Sequence, residues 1–112
     1  MADEAKEKPT PKIIFTMKLT EPITAHGEKL TELNFREPTA KDIIQYGYPV
    51  IPRFNAGEFT ISYNEEKMTA IMCGLLAVPP SSIAQLKTRD WATAAAWLAT
   101  FFVPDIGLLL SL

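Results

Sequence analysis

Polar and apolar positions alternate cleanly from Lys12 to Thr20. Ile13, Phe15, Met17 and Leu19 take one side, and Lys12, Thr16, Lys18 and Thr20 the other. Only Ile14 breaks the order. A period of two belongs to a half-buried strand, because successive side chains point to opposite faces of a sheet. Leu30 to Arg36 alternates too, with Leu33 and Phe35 inward against Glu32, Asn34 and Arg36. Between the two stretches His26-Gly27 can supply the positive φ angles of a tight turn, so the pattern predicts a β-hairpin.

Register sharpens that expectation. A two-residue turn at His26-Gly27 pairs Ala25 with Glu28 and Ile23 with Leu30. Continued without interruption, the same pairing sets Leu19 opposite Asn34, apolar against polar. Bringing Leu19 beside Leu33 or Phe35 takes a shift of one residue, which a single bulge supplies. Pro22 cannot donate to a ladder and marks a place for the break. An irregularity is therefore expected at Glu21-Pro22 or around Leu30-Thr31.

Beyond Pro38 the period changes. Thr39 with Asp42 three positions later has the form of a helix N-terminus, followed by Ile43 and Ile44. Gly47 and Pro49 keep that helix short. Residues 48–63 are proline-rich and then alternate at Phe59, Ile61 and Tyr63, which allows a brief third strand or an extended loop. Asn64 is a cap, and Glu65 and Glu66 suit the positive end of a helix dipole. Met68, Ile71, Met72, Leu75 and Leu76 then follow helical spacing until Pro79-Pro80. Ser81 or Ser82 opens a short turn through Leu86, and Thr88 can cap a last helix from about Arg89 to Val103. On it Trp91, Ala94, Ala95, Leu98 and Phe102 form one stripe, with Trp97 and Phe101 on another side. The expected fold is α+β: an N-terminal antiparallel hairpin packed on three to four helices.

Chain length and charge narrow the functions. With 112 residues the chain has room for one core, here 12–104, flanked by a disordered tail at 1–11 and an apolar tail at 105–112. Asp3, Glu4, Lys6, Glu7 and Lys8 make the first tail too polar to order itself. A net charge of -2, with eleven Lys and Arg scattered along the chain, does not give the basic surface a nucleic-acid partner requires. The one cysteine, Cys73, forms no internal disulfide and fits a reducing compartment. No secretory leader precedes the first strand, so a cytoplasmic setting is expected.

No residue type forms a convincing catalytic or metal centre. His26 lacks an acidic or thiol partner at useful spacing and sits at a turn. Cys73 beside Gly74 in an apolar helix reads as a packing residue, and Ser81-Ser82 as helix caps. Gly27 and Gly57 are isolated and form no phosphate loop, so no cofactor is expected. Asp42 and Asp90 read as helix-start residues.

The hairpin-to-helix segment carries a fixed-spacing phrase in Leu19, Pro22, Ile23, Gly27, Leu33, Arg36, Pro38, Thr39 and Asp42. It resembles the small tail assembly chaperones of contractile-tailed phages, the P2-like and Mu-like group. LLAVPPSSIAQLKTRDW is similar to the same family's helix, double-proline turn and aspartate-tryptophan helix start. The resemblance implies a non-enzymatic protein of the host cytoplasm that coats the tape measure protein during tail morphogenesis and is absent from the finished particle. It also implies a frameshifted longer product of the same gene. A structural tail or baseplate component, retained in the virion, is the competing function.

After Trp91 the only charged side chain is Asp105, so the end of the chain is unusually apolar. Pro104, Asp105 and Gly107 interrupt it too often for a membrane span, which needs about 20 apolar residues. The stripe of Trp91, Leu98 and Phe102 belongs under the hairpin. Trp97, Phe101, Leu108, Leu109 and Leu110 are the surplus, and large side chains left exposed forfeit about 1.5–3 kcal/mol each. They are the expected partner-binding residues, taking either a second copy or an apolar helix of the tape measure protein.

Overall fold

His26 and Gly27 sit at φ 54° and 78°, the positive values that a two-residue hairpin loop requires. In the computed structural model, which describes residues 12–102, they join β1 (Ile13–Ala25) to β2 (Glu28–Arg36) as an antiparallel pair. Ala25 faces Glu28 and Ile23 faces Leu30, the register expected from the turn. The ladder then breaks. Lys18 faces Glu32, so Leu19, Thr20, Glu21 and Pro22 together oppose only Thr31.

The break lies where Pro22 marked it, but it is larger than one residue. Its odd length still flips the face as required. The residues brought inward differ from those expected: Met17 lies opposite Leu33 and Phe15 opposite Phe35, while Leu19 falls inside the irregular segment. A second shift follows between Ile13 and Phe15, where Ile14 is the extra residue. This explains why Ile14 breaks the alternation, and it leaves both Ile13 and Ile14 exposed.

The chain leaves β2 through Pro38 into α1 (Ala40–Tyr46), with Thr39 as its extended N-cap. Residues 50–63 form a complete second hairpin, β3 (Val50–Asn55) and β4 (Glu58–Tyr63), as a separate two-stranded sheet. Its loop repeats the first one's geometry, with Ala56 at φ 52° and Gly57 at φ 83°. Then come α2 (Glu65–Leu76), α3 (Pro80–Ile83) and α4 (Thr88–Phe102). Asn64 caps α2 by accepting from the Lys67 amide at 2.9 Å. The cap of α3 is Pro79, with Pro80 at the first helical position, so neither Ser81 nor Ser82 has the capping role expected of them.

One core joins these elements. The inner face of the first hairpin supplies Met17, Ile23, Leu33 and Phe35. Onto it pack Met68, Ile71, Met72 and Leu75 of α2, and Ala94, Ala95, Leu98 and Phe102 of α4. Gly74 lets α1 approach α2 closely: a Cβ there would stand 2.6 Å from the Tyr46 ring.

Polar groups of β1 at the break and just beyond it are tied to residues 82–90. The Asp90 carboxylate accepts from the Thr20 amide and hydroxyl, both at 2.9 Å. Gln85 accepts from the Thr24 amide at 2.8 Å, and Ser82 Oγ donates to the Thr24 carbonyl at 2.8 Å. These side chains occupy hydrogen-bonding groups that an open strand edge would otherwise present to other chains.

Candidate partner-binding surface

The two aromatic residues expected to be surplus stand at different depths. Trp97 is half-buried and stacks on Phe15, centroids 4.3 Å apart with 17° between planes. Phe35 lies 5.5 Å from the same indole, under the hairpin. Phe101, one turn on, meets Trp97 edge-on at 4.9 Å and is 41% exposed. Phe35, Trp97 and Phe101 thus form a graded row from core to solvent, with half-buried Phe15 stacked on the indole. The register of β1 puts Phe15 in reach of the indole, and the i, i+4 spacing of α4 brings Phe101 beside it.

A groove of about 310 Å³ opens beside Phe101. Phe101 and Phe102 line it together with Glu37, Pro38, Thr39, Ala40 and Ile43. Ile44 of α1 is 84% exposed. Leu108, Leu109 and Leu110 lie outside the described residues, as do the two terminal tails.

The floor of this region is rigidly held. Arg36 makes a bidentate contact with Asp42, Nη2 to Oδ1 at 2.8 Å and Nη1 to Oδ2 at 3.0 Å. The Thr39 amide donates to Asp42 Oδ2 at 2.8 Å, closing the helix N-terminus. The Arg36 guanidinium holds the Asp42 carboxyl below the usual carboxylate range, and Asp42 in turn raises Arg36. Asp42 is a helix-start residue as expected, but it also binds the end of β2 to α1.

His26, Ser82 and Asp90, three of the side chains with catalytic potential, are engaged elsewhere. His26 Nε2 lies 2.9 Å from the Ala77 carbonyl, tying the hairpin turn to the left-handed residue that ends α2. Burial pushes the Cys73 thiol up, away from the thiolate a nucleophile requires. Ser82 is buried on β1, and Asp90 is spent on Thr20 rather than acting at the helix start alone. Among the described residues no group of three or more His, Cys, Asp or Glu is placed to hold a metal ion. No helix among them is long and apolar enough to cross a membrane.

The sequence reading missed one set of exposed apolar residues. Ile51, Phe54 and Ile61 of the second hairpin are 38%, 56% and 38% exposed. The Ala56-Gly57 loop was the available signal, and Pro52 obscured it by arguing against a strand.

A family model described as "Phage tail assembly chaperone proteins, E, or 41 or 14" matches residues 16–103. No curated protein and no solved structure matches the chain.

Proposed function

The chain belongs to the phage tail assembly chaperone family, and from that premise we propose that it binds the tape measure protein during tail morphogenesis. In this reading it acts in the host cytoplasm as a holdase without chemistry. It keeps a long, apolar, helical client soluble until tail tube subunits replace it, and it does not remain in the particle. Trp97 and Phe101, with Leu108, Leu109 and Leu110, form the contact.

The observation that carries this reading is the aromatic row ending at Phe101. Trp97 is anchored by Phe15 and Phe35, so Phe101 is presented on a firm support beside a groove lined by Pro38, Ala40 and Ile43 as well as by Glu37 and Thr39. Aromatic anchors held in this way contribute most of the energy in helix-in-groove contacts. The engaged states of His26, Ser82 and Asp90 favour binding over catalysis.

Mass spectrometry on lysate and purified particles of one infection tests the transient role. The chain should be present in the lysate and missing from the particles. Its presence in the particles at a fixed stoichiometry would instead make it a structural tail component.

A further inference from the structure

The second hairpin has one face that is apolar from end to end. Its cross-strand pairs are Val50 with Tyr63, Pro52 with Ile61, and Phe54 with Phe59. By the period of two, Ile51, Arg53, Asn55, Glu58, Thr60 and Ser62 fall on the opposite face, which is polar except for Ile51 near the base. The apolar face starts in the core and runs out of it. Val50 is buried, and Tyr63 meets Trp91 edge-on at 6.4 Å. Among the described residues, the ribbon beyond this base packs extensively on no other element. Phe54 and Phe59 lean on each other at 4.9 Å, with Phe54 and Ile61 open to solvent. A two-stranded ribbon alone is marginal in water, and a partner laid on its apolar face would stabilise it by removing that face from water.

We propose that this face is a docking arm for the uncharged, aliphatic side of a client helix, an inference that rests on the chaperone reading above. Charge selects the occupant. No charged group projects from the face, so a charged or strongly polar strip laid on it would be desolvated without compensation. Size selects between a client and a second copy. Six residues per strand give a face roughly 20 Å long and about 10 Å wide, which matches the width of one helix. Its footprint of roughly 200 Å² falls well short of the ~800 Å² that each partner contributes to a stable interface. Two arms packed face to face would therefore separate readily. A long client that engages many copies gains through avidity what each arm lacks. The position suits a shared contact as well: Tyr48, just before β3, meets Phe102 edge-on at 5.8 Å, beside exposed Phe101.

The test is site-specific photo-crosslinking in the full chain, co-expressed with the tape measure protein of the same tail. A crosslinker at position 54, on the apolar face, should capture the tape measure protein on the order of ten-fold better than one at position 60 on the polar face. The double variant Phe54→Ser, Ile61→Thr should lose co-purified tape measure protein by a similar factor while its circular dichroism and Tm stay unchanged. Cross-links from position 54 to a second copy instead, or undiminished capture by the double variant, would overturn the arm and leave the chaperone reading standing. A wild-type chain that captures no tape measure protein would overturn both.

Discussion

The Thr20 amide and hydroxyl both donate to the Asp90 carboxylate, each at 2.9 Å and across 70 positions of sequence. Thr20 lies inside the break in β1, where four residues oppose only Thr31 and the regular ladder is interrupted. Asp90 therefore takes up polar groups that the break releases, and in doing so fixes α4 against the hairpin. Asp90→Ala is expected to destabilise the protein by about 1–3 kcal/mol, the usual loss for a hydrogen bond to a charged group. Asp90→Asn, which keeps one acceptor oxygen, should lose less. Urea unfolding of the two variants checks the order.

The Arg36–Asp42 pair gives a stability that depends on pH in a defined direction. Asp42 is lowered in the folded state, chiefly by hydrogen bonding to Arg36. Its contribution is therefore complete above the unfolded carboxyl value of ~3.9 and is lost as pH falls through the lower folded value. Wild type should exceed Asp42→Asn in stability at neutral pH, and the gap should close in acid. Thermal unfolding of both proteins across that range measures it. A gap that widens on acidification would contradict the assignment.

Gly74 offers a test whose sign is diagnostic. An alanine inside a helix is ordinarily stabilising by about 1 kcal/mol over glycine. Here the added Cβ would meet Tyr46 side-chain atoms at 2.6 to 2.8 Å. Gly74→Ala should instead cost about 1–3 kcal/mol through overpacking. Tyr46→Ala should relieve most of that penalty in a double-mutant cycle.

Trp97 and Phe101 are expected to separate stability from binding. Trp97→Ala removes the indole by which α4 stacks on Phe15 and Phe35 of the hairpin, and should cost about 2–4 kcal/mol, somewhat below a fully buried aromatic. Phe101→Ser changes an exposed side chain and should alter stability by less than about 1 kcal/mol. It should nevertheless reduce tape measure capture. A Phe101→Ser protein that captures normally would remove Phe101 from the contact.

Local signals made much of this fold legible in the sequence. The His26-Gly27 loop, the register at Ile23 and Leu30, the Thr39–Asp42 start and the stripe on α4 all depend on near neighbours. The break in β1 was foreseeable from Pro22 and from the clash of Leu19 with Asn34. Its extent was not, because Asp90 supports it at Thr20 from far along the chain, while Ser82 and Gln85 hold Thr24 just beyond it. The same distance hid the second role of Asp42, which needed Arg36 beside it. The second hairpin was obscured differently. Proline at position 52 argues against a strand, yet a ribbon of only two strands leaves an outer edge where a missing amide costs little. At the candidate surface, i, i+4 spacing linked Trp97 to Phe101, but only the fold shows that Phe15 and Phe35 anchor the indole while Phe101 stays open.

The most direct measurement of the central claim is co-expression of the full chain with the tape measure protein of the same tail. The tape measure protein should move from the insoluble to the soluble fraction and co-purify with the chain. A tape measure protein that stays insoluble, or becomes soluble without retaining the chain, would contradict the account.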